Sequence, residues 1–245
     1  MMEKKKILIY TIMRNRTDRI QQYYDQIVQL PVQYPEFEWY LSVYENDSTD
    51  GTKSIFHQMD LSMFKKSCIT MANIGTVHYG SVTDEDRVRN LANARNNAAL
   101  AHDFYKEVDY LMMVESDVRY PIETVGKLLT FTERTGEEFD IVSGVLWGDE
   151  AKGHWDTWGT RRNADEEWGS LHPNWQEVPY GKYYVTCNGI GIFKAQAFRD
   201  GARYGYINER LGGKHDCDTA IICEEFIKRG YDRIFIDHTA DIYHH

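Results

Sequence analysis

The chain contains a short apolar run, Tyr110 to Val114, that ends directly in the carboxylates of Glu115 and Asp117. An apolar run of this length, bounded by polar residues, is typical of a strand that is buried on both faces. Because side chains alternate along a strand, Glu115 and Asp117 are expected to point to the same side. In open α/β sheets, ligands bind just beyond the carboxyl ends of the strands. We therefore predict a binding site at Glu115, Ser116 and Asp117.

The side chains of Glu115 and Asp117 are hard oxygen donors of the kind that bind Mg²⁺ or Mn²⁺. Such an ion is usually held by one or two carboxylates together with the phosphates of a substrate. We therefore expect a Mn²⁺ or Mg²⁺ cofactor and a phosphate-bearing ligand at this strand end. The alternative is a strand that runs into an acidic turn, because a motif this short often matches by chance.

The charge of the chain limits its partners. Its 245 residues include 28 Lys and Arg and 38 Asp and Glu, which gives a formal net charge of −10. Non-specific binding to nucleic acid or to an anionic membrane requires a basic surface, so we expect neither partner. A nucleotide ligand remains compatible with this charge, because a few local basic residues or a metal ion can neutralise one pyrophosphate.

The cysteines and the apolar segments bear on localisation. None of the four cysteines forms a CxxC pair, which argues against a zinc knuckle and favours a reduced, cytosolic protein. No apolar stretch reaches the length of a signal peptide or a membrane span. We expect a cytoplasmic protein, associated with membranes through partners if at all, or else an anchor that lies outside this chain.

Strand and helix patterns alternate along the first part of the chain. Apolar runs predict strands at 7–12, 37–44, 68–72, 110–114 and 140–146. Amphipathic spacing and cap residues predict helices at 18–30, 53–63, 87–102 and 121–136. This alternation implies an α/β fold, in which a central, mostly parallel sheet carries helices on both faces.

The rest of the chain is less regular. Residues 147–183 are rich in Trp, Gly, His and charged residues without a clear period, as is typical of a functional or mobile loop. Short apolar segments at 183–186 and 190–193 precede a strong helix at 216–229 and extended pieces at 233–237 and 240–243. No repeat or linker divides the chain, so we predict one domain, 1–245.

Polar residues follow the second predicted strand, at Glu45, Asn46 and Asp47. In nucleotide-binding α/β folds, acids at this place accept hydrogen bonds from base or ribose hydroxyls. The same run can also start a helix, with one of the next three residues as the N-cap. The two interpretations are compatible, because cap and ligand residues differ.

Two arginines, Arg87 and Arg95, lie about two turns apart on the third predicted helix. Arginine is suited to bidentate contact with phosphate, so both are candidates for binding a diphosphate. The alternative is an exposed helix face that pairs with the acidic residues at 84–86.

The aromatic loop contains a further acid, Asp156, beside Trp158. Aromatic rings provide flat surfaces for sugars, and they are also ordinary core material. The alternative to a substrate site is therefore a loop that packs around its own tryptophans.

The C-terminal part contributes two acids and a histidine. Asp216 and Asp218 stand at the start of the predicted helix 216–229, where carboxylates suit either capping or substrate binding. His244 can complete a metal shell. Alternatively, His244 and His245 are an expression-tag remnant or a disordered end.

The order of these motifs resembles the glycosyltransferases of the GT-A fold. The motifs are YENDSTDGTK at 44–53, LANARNNAAL at 91–100 and ESDV at 115–118. More narrowly, the chain is similar to the fungal capsule-type α-1,3-mannosyltransferases, the cryptococcal mannosyltransferase family. Segments WDTW at 155–158 and CNG at 187–189 match that family as well. The likeness extends over about 7–198, and residues 216–244 resemble the wider GT-A pattern.

The resemblance implies a single Rossmann-like GT-A domain, with a nucleotide-sugar-binding half at 1–120 and an acceptor-binding half at 121–245. It implies a metal-dependent transfer of a sugar to a glycan or glycolipid acceptor. The expected donor is GDP-mannose and the expected outcome is retention of configuration, with Mn²⁺ or Mg²⁺ as cofactor.

The resemblance also assigns roles to single residues. The nucleotide sugar is assigned to Thr11, Arg14, Glu45, Asp47, Arg87, Arg95 and Ser116. The metal is assigned to Glu115, Asp117 and His244. The catalytic acids are Asp216 and Asp156, and the acceptor contacts are Trp158, Asn188 and Asp218. Glu115 stands where many relatives have Asp or Asn, so Asp117 can be the direct metal ligand alone.

Other functions stay open at this point. An inverting transferase with a UDP-sugar or another nucleotide-sugar donor would need the same motifs. A nucleotidyltransferase shares the sheet, but the segment 11–16 lacks the glycine expected after its first strand. A non-catalytic carbohydrate-binding domain explains the aromatic residues. A phosphodiesterase could bind metal ions at Asp216, Asp218, His238 and His244.

Overall fold

A mixed β-sheet with helices on both faces forms the centre of the protein. The computed structural model describes residues 3–80, 83–148, 156, 158–166, 180–186 and 189–244. The strands in these ranges are β1 (Lys6–Met13), β2 (Glu38–Asn46), β3 (Lys66–Ala72), β4 (Tyr110–Val114), β5 (Val118–Arg119), β6 (Ile141–Gly148), β7 (Gly181–Lys182), β8 (Ile190–Lys194), β9 (Ile207–Asn208), β10 (Lys214–His215) and β11 (Ile234–His244). The α-helices are α1 (Ile20–Gln33), α2 (Thr52–Phe56), α3 (Glu85–Leu100), α4 (Ile122–Leu129), α5 (Phe131–Thr135), α6 (Ala195–Arg199) and α7 (Asp218–Lys228), and short 3₁₀ helices lie at Ala101–Lys106 and Glu209–Leu211.

The main sheet has the strand order β3-β2-β1-β4-β8-β6-β11-β5, and β7 pairs with β11. Strands β1 to β4 are parallel, as the alternation of strands and helices predicts. β8 lies antiparallel between β4 and β6, while β11 runs parallel to β6. The predicted α/β class is confirmed, and the antiparallel β8 makes the second half of the sheet mixed.

The predicted helices form with different ends. α1 continues through Pro31 to Gln33, because a proline in the last turn removes only one amide donor from a helix that is about to end. α2 ends at Phe56, well before the predicted end. The helix predicted at 121–136 is two helices, α4 and α5, that meet at Thr130. The Thr130 hydroxyl donates 2.8 Å to the carbonyl of Gly126, a local bond that competes with helix continuation.

The extended pieces predicted at 233–237 and 240–243 belong to one strand, β11. Its pairing with β6 shifts in register between Ile236 and Asp241, so the residues between them form a bulge. β11 also pairs with β5, where His244 is the partner of Val118. This last pairing brings the end of the chain beside the residues that follow β4.

Two hydrophobic clusters cover the two faces of the sheet. Leu8 and Tyr10 of β1 belong to one cluster, and Ile7 and Ile9 belong to the other, as the alternation along a strand requires. α3 and α7 contribute to the first cluster, whereas α1 and α4 contribute to the second. The parallel pairing of β1 to β4 places their carboxyl ends at one edge of the sheet.

In the ranges that the structure describes, no helix has both the length and the apolar character needed to cross a bilayer. The cytoplasmic location and the division into halves at residue 120 stay predictions.

Candidate active site

A cleft of about 610 Å³ opens at the carboxyl ends of β1 and β4, against α3 and the start of α7. Most of the predicted site residues, from both halves of the chain, line it: Arg14, Arg87, Arg95, Glu115, Ser116, Asp117, Asp156, Trp158, Asp218 and His244. This volume falls in the range of small-molecule and cofactor sites, roughly 300–1,000 Å³. The fold therefore brings together most of the groups that the motifs predict.

Asp117, which follows β4, lies next to His244 at the end of β11. The Asp117 Oδ2 atom accepts a hydrogen bond from Nη2 of Arg16 at 2.9 Å and lies 3.8 Å from Nε2 of His244. Nε of Arg16 also donates to Oγ of Ser116 at 3.4 Å. The side chains of Asp117 and His244 are 24% and 25% exposed, so both are accessible from the cleft. The fold thus brings these two predicted metal ligands together, and their role in metal binding stays a prediction.

Arg95 of α3 joins two of the predicted acids. Its Nη2 donates to Oε1 of Glu115 at 2.6 Å, and its Nε donates to Oδ2 of Asp218. Burial lowers the pKa of Arg95, but Asp218 and Glu115 raise it well above its ordinary value, so this side chain is charged. Burial raises the pKa of Glu115 although Arg95 opposes the shift. The guanidinium is engaged by protein carboxylates, and its contact with phosphate stays a prediction.

The predicted metal ligands fit a small divalent cation as a pair rather than a triad. In the described parts of the chain, no three His, Cys, Asp or Glu side chains form a group that could hold a metal ion, and Glu115 binds Arg95. Nε2 of His244 lies 3.8 Å from Oδ2 of Asp117, so the two side chains lie close enough to hold one cation together. Mg²⁺ is commonly bound through one or two carboxylates and completes its shell with phosphate and water oxygens. The Asp117 carboxylate suits Mg²⁺ or Mn²⁺, and the His244 imidazole would be a second ligand.

Asp47 holds residues 73–80, which we call the rim segment, against the end of β2. Its carboxylate accepts hydrogen bonds from the backbone N–H groups of Ile74 at 2.8 Å, Gly75 at 2.9 Å and Thr76 at 3.0 Å, and from the Thr76 hydroxyl at 2.6 Å. Burial raises the pKa of Asp47, but the hydrogen bonds outweigh this effect and lower it far below its ordinary value. Asp47 therefore organises the wall of the cleft from behind.

Arg14 binds the rim segment from the cleft side. Its Nη1 donates to the Thr76 hydroxyl oxygen at 2.9 Å, and its Nη2 donates to the Thr76 carbonyl at 2.7 Å. Nδ2 of Asn46 donates to the same hydroxyl oxygen at 3.0 Å. Arg14, Asn46 and Thr76 all line the cleft, so the Thr76 hydroxyl connects the ends of β1 and β2 with the rim.

Thr11 and Glu45 lie behind the cleft wall. Glu45 is fully buried; its Oε1 accepts from the Ser48 amide at 2.7 Å, and its Oε2 lies 3.6 Å from Nζ of Lys53. The Thr11 hydroxyl donates to the carbonyl of Val114 at 2.9 Å. These contacts stabilise the ends of β1, β2 and β4. A direct role of either residue in nucleotide binding stays a prediction.

Asp216 is enclosed in the interior. Its Oδ2 accepts from Nη1 of Arg161 at 2.8 Å and from Nδ2 of Asn208 at 2.7 Å, and its Oδ1 accepts from Nη2 of Arg161 at 2.5 Å and from the Cys217 amide at 2.8 Å. The side chains of Arg161 and Asp216 are 1% and 0% exposed. Burial lowers the pKa of Arg161, but Asp216 raises it above its ordinary value. In contrast to Asp216, Asp218 lines the cleft.

Asp156 and Trp158 lie in the cleft wall near Asp218. Oδ1 of Asp156 accepts a hydrogen bond from the Gly159 amide at 2.8 Å, which closes the turn that carries Trp158. The predicted acceptor contact Asn188 lies outside the described residues, as do Trp155, Thr157 and Cys187.

Comparisons with known proteins agree with this geometry. The family model described as Cryptococcal mannosyltransferase 1 matches residues 6–224. The chain belongs to this family. The match confirms the resemblance found in the motifs. A comparison with curated proteins finds no match.

Solved structures show that this cryptococcal mannosyltransferase family member has the GT-A fold. It matches S. aureus TarS 1–349 in complex with UDP with a TM-score of 0.58 at 15% identity, over 97% of this chain and 60% of that chain. It matches the mannosyltransferase PcManGT from Pyrobaculum calidifontis, in complex with GDP-Man and Mn²⁺, with a TM-score of 0.57 at 12% identity, over 99% and 57%. It also matches glucosyl-3-phosphoglycerate synthase from Mycobacterium tuberculosis, in complex with Mg²⁺ and UDP, with a TM-score of 0.52 at 15% identity, over 99% and 72%.

The cleft of this family member contains residues that no motif indicated: Arg16, Arg19, His78, Tyr79 and Asn90. Arg16 and Arg19 could have been predicted from the sequence, because they follow the carboxyl end of β1, where ligands of α/β folds bind. The rim segment has no such signal. His78 and Tyr79 reach the cleft because Asp47 folds this segment onto β2.

Proposed function

We propose that the protein is a metal-dependent, retaining glycosyltransferase that transfers mannose from GDP-mannose to a glycan or glycolipid acceptor. The observation that carries the proposal is a single cleft, at the carboxyl ends of parallel strands, that contains Asp117, His244, Arg16 and Asp218. Family membership supports the transfer of a sugar. Mannose and retention rest on the resemblance to the capsule-type mannosyltransferases, and the complex of PcManGT with GDP-Man and Mn²⁺ supports the donor and the metal.

The donor's diphosphate would bind at the basic side of the cleft. When the bond between the sugar and the diphosphate breaks, the diphosphate gains negative charge. Arg16, Arg19 and Arg87 line the cleft, and guanidinium groups bind phosphate oxygens in a bidentate manner. Hydrogen-bonding groups that are already positioned where this negative charge develops stabilise the transition state more than the ground state.

Asp117 and His244 would hold the divalent cation. When bound, the ion would supply Lewis-acid neutralisation of the charge on the leaving diphosphate. Ser116 and Arg16 lie directly beside these ligands. The ligands and the basic residues thus occupy the same part of the cleft, as a bound metal–diphosphate group requires.

The nucleoside would lie along the rim segment. Arg14, Asn46 and the ring-bearing residues His78 and Tyr79 line this part of the cleft. Aromatic rings stack on bases, and amide and guanidinium groups donate hydrogen bonds to base or ribose oxygens. The network around Thr76 keeps this wall in place before the donor arrives.

The acceptor would enter beside Asp156, Trp158 and Asp218. An indole ring packs against the apolar face of a sugar, and carboxylates accept hydrogen bonds from its hydroxyl groups.

A second candidate is an inverting transferase with a UDP-sugar donor. The structures of TarS and of glucosyl-3-phosphoglycerate synthase in complex with UDP favour this donor class. A non-catalytic carbohydrate-binding domain would have no need for arginines beside an aspartate–histidine pair. A phosphodiesterase would need His238 near Asp216, but His238 packs on Tyr180 and Asp216 is enclosed by Arg161.

The test measures thermal stability with a panel of nucleotides and nucleotide sugars, in Mn²⁺ or in EDTA. A ligand that binds the native state raises the apparent stability by mass action. We expect shifts with GDP and GDP-mannose that require Mn²⁺ and are lost in Asp117→Ala. Selective shifts with UDP compounds would favour the second candidate. The absence of a shift with every nucleotide in the presence of Mn²⁺ would contradict both transferase proposals.

A further inference from the structure

Asp216 and Asp218, at the start of α7, are both buried, with side chains 0% and 4% exposed, but they make different contacts. A carboxylate offers about four lone-pair sites, and those of Asp216 are taken by two donors from Arg161, one from Asn208 and one from the Cys217 amide. The carboxylate is also 0% exposed. A substrate hydroxyl could reach Asp216 only after this buried network had opened.

Asp218 lies at the cleft instead. It lines the cleft together with Asp156 and Trp158, and its Oδ2 accepts a hydrogen bond from Nε of Arg95. Arg95 in turn binds Glu115, which follows β4. The carboxylate of Asp218 is therefore fixed relative to the donor end of the cleft by one buried guanidinium.

From this contrast we infer that Asp218 is the acidic residue that contacts the reacting acceptor hydroxyl, and that Asp216 is a positioning residue. The inference rests on the proposed function. Asp218 accepts the hydrogen bond of the hydroxyl group, and its negative charge stabilises the positive charge that develops on the sugar. The bond between the anomeric carbon and the diphosphate oxygen breaks with its electron pair on the diphosphate. The acceptor oxygen bonds to the anomeric carbon, and its proton passes along the existing hydrogen bond to the Asp218 carboxylate.

The role of Asp216 is to hold Asp218 in place. Through Arg161 it ties the turn after Trp158 to the start of α7, and Arg161 also bridges to Val185. Through Asn208 it ties β9 to the same point. Loss of this pair would move the acceptor wall while leaving the donor side, built on β1, β2 and β4, in place.

The experiment compares Asp218→Asn with Asp216→Asn, two isosteric changes, in the full chain. For each variant it measures the melting temperature, the Kd of GDP with Mn²⁺, and mannose transfer with donor and acceptor varied separately. For Asp218→Asn we expect a fall in kcat of a hundredfold or more, with a GDP affinity within threefold of the wild type. For Asp216→Asn we expect a lower melting temperature and a raised acceptor KM, with an unchanged donor KM and a kcat within tenfold of the wild type.

Arg161→Lys is the second variant, which keeps the inference testable if Asp216→Asn does not fold. It keeps one charged donor for Asp216 and should show the same rise in acceptor KM in a milder form. The inference is overturned if Asp218→Asn keeps its kcat, or if Asp216→Asn keeps its melting temperature and loses transfer. Failure of the proposed function looks different, because the wild type itself would then neither bind GDP nor transfer mannose.

Discussion

The guanidinium of Arg16 lies 2.9 Å from the same Asp117 oxygen that lies 3.8 Å from Nε2 of His244. A cation bound between Asp117 and His244 would meet the positive charge of Arg16 within a few ångströms. We therefore predict that Arg16→Ala binds Mn²⁺ alone about tenfold more tightly than the wild type, since one charge at this range is worth on the order of 1 kcal/mol in water. The same variant should bind GDP more weakly, because a phosphate contact is lost. Calorimetric titration with each ligand measures both effects.

Arg19→Ala is the matched control for the metal measurement. Arg19 lines the same cleft but forms an ion pair with Asp18 at 3.2 Å, so its loss should leave Mn²⁺ affinity within twofold of the wild type. Equal Mn²⁺ affinity in Arg16→Ala and the wild type would show that Arg16 does not compete for Asp117.

The Thr76 hydroxyl donates to Asp47 and accepts from Arg14 and Asn46. Thr76→Val keeps the shape of the side chain and removes this connection. We predict a loss of about 1–3 kcal/mol in the free energy of unfolding, because polar groups lose their partners. Nucleotide affinity should fall about tenfold, because the loosened rim segment of the variant has to be fixed in place when the nucleotide binds. Urea unfolding and titration with GDP measure the two quantities.

Ile74→Ala is the control on the same segment. The Ile74 side chain is 59% exposed and its contact with Asp47 is made by the backbone amide. Its loss should therefore change neither stability nor affinity appreciably. A Thr76→Val variant that behaves like Ile74→Ala would mean that the hydroxyl network does not support the rim.

The parts of the site that local sequence determines were predictable. Glu115 and Asp117 follow an apolar strand, so their place at the edge of the sheet follows from the alternation of side chains and the parallel topology. The capping of α3 by Asp84, whose carboxylate accepts from the amides of Asp86 at 2.9 Å and Arg87 at 3.2 Å, is also local. It directs Arg87 into the cleft from the first turn.

The remaining features depend on contacts between distant segments. Asp216 and Asp218 are equivalent in the sequence pattern, but in the fold Asp216 pairs with Arg161 from another loop and Asp218 pairs with Arg95 of α3. Asp47 looks like a ligand residue after β2, but the rim segment after β3 occupies its carboxylate. Periodicity and cap signals describe single elements, so they do not show which segment will pack against which acid.

The ionised carboxylate of Asp140 is expected to make the free energy of unfolding depend on pH in the acid range. It accepts hydrogen bonds from Arg233 at 2.8 Å and 3.0 Å and lies 3.5 Å from Nζ of Lys194. Burial raises the pKa of Asp140, but Arg233 and Lys194 outweigh it and hold the pKa below its ordinary value. A lowered pKa in the folded state means that the ionised form stabilises the fold above about pH 4, the unfolded value. This contribution is lost as the pH falls through the folded pKa.

We expect Asp140→Asn to lower the free energy of unfolding by about 1–3 kcal/mol at pH 7, since it weakens a buried charged hydrogen-bond pair. The difference from the wild type should shrink as the pH falls from about 4 through the folded pKa of Asp140, below which the carboxyl group is neutral in both the folded and the unfolded state. Asp232→Asn is the control, because Asp232 and Lys182 are 60% and 54% exposed, and such pairs contribute little. A difference that stays constant from pH 7 to pH 3 would argue against ionised Asp140 as the source.

Gly144 of β6 lies beside the β11 bulge, where there is no room for a Cβ atom. A Cβ atom at this position would lie 2.4 Å from the Ala240 carbonyl oxygen and 2.7 Å from Cδ1 of Ile242. The carbonyl belongs to the backbone of β11, so the clash with it cannot be relieved by turning a side chain. We expect Gly144→Ala to lower the free energy of unfolding by about 1–3 kcal/mol, the usual cost of overpacking. The melting temperature should then fall by about 2–4 °C for each kcal/mol.

Gly80→Ala is the control, because nothing lies within 4 Å of its Cβ position. Equal melting temperatures for the two variants would mean that the bulge adapts to a methyl group.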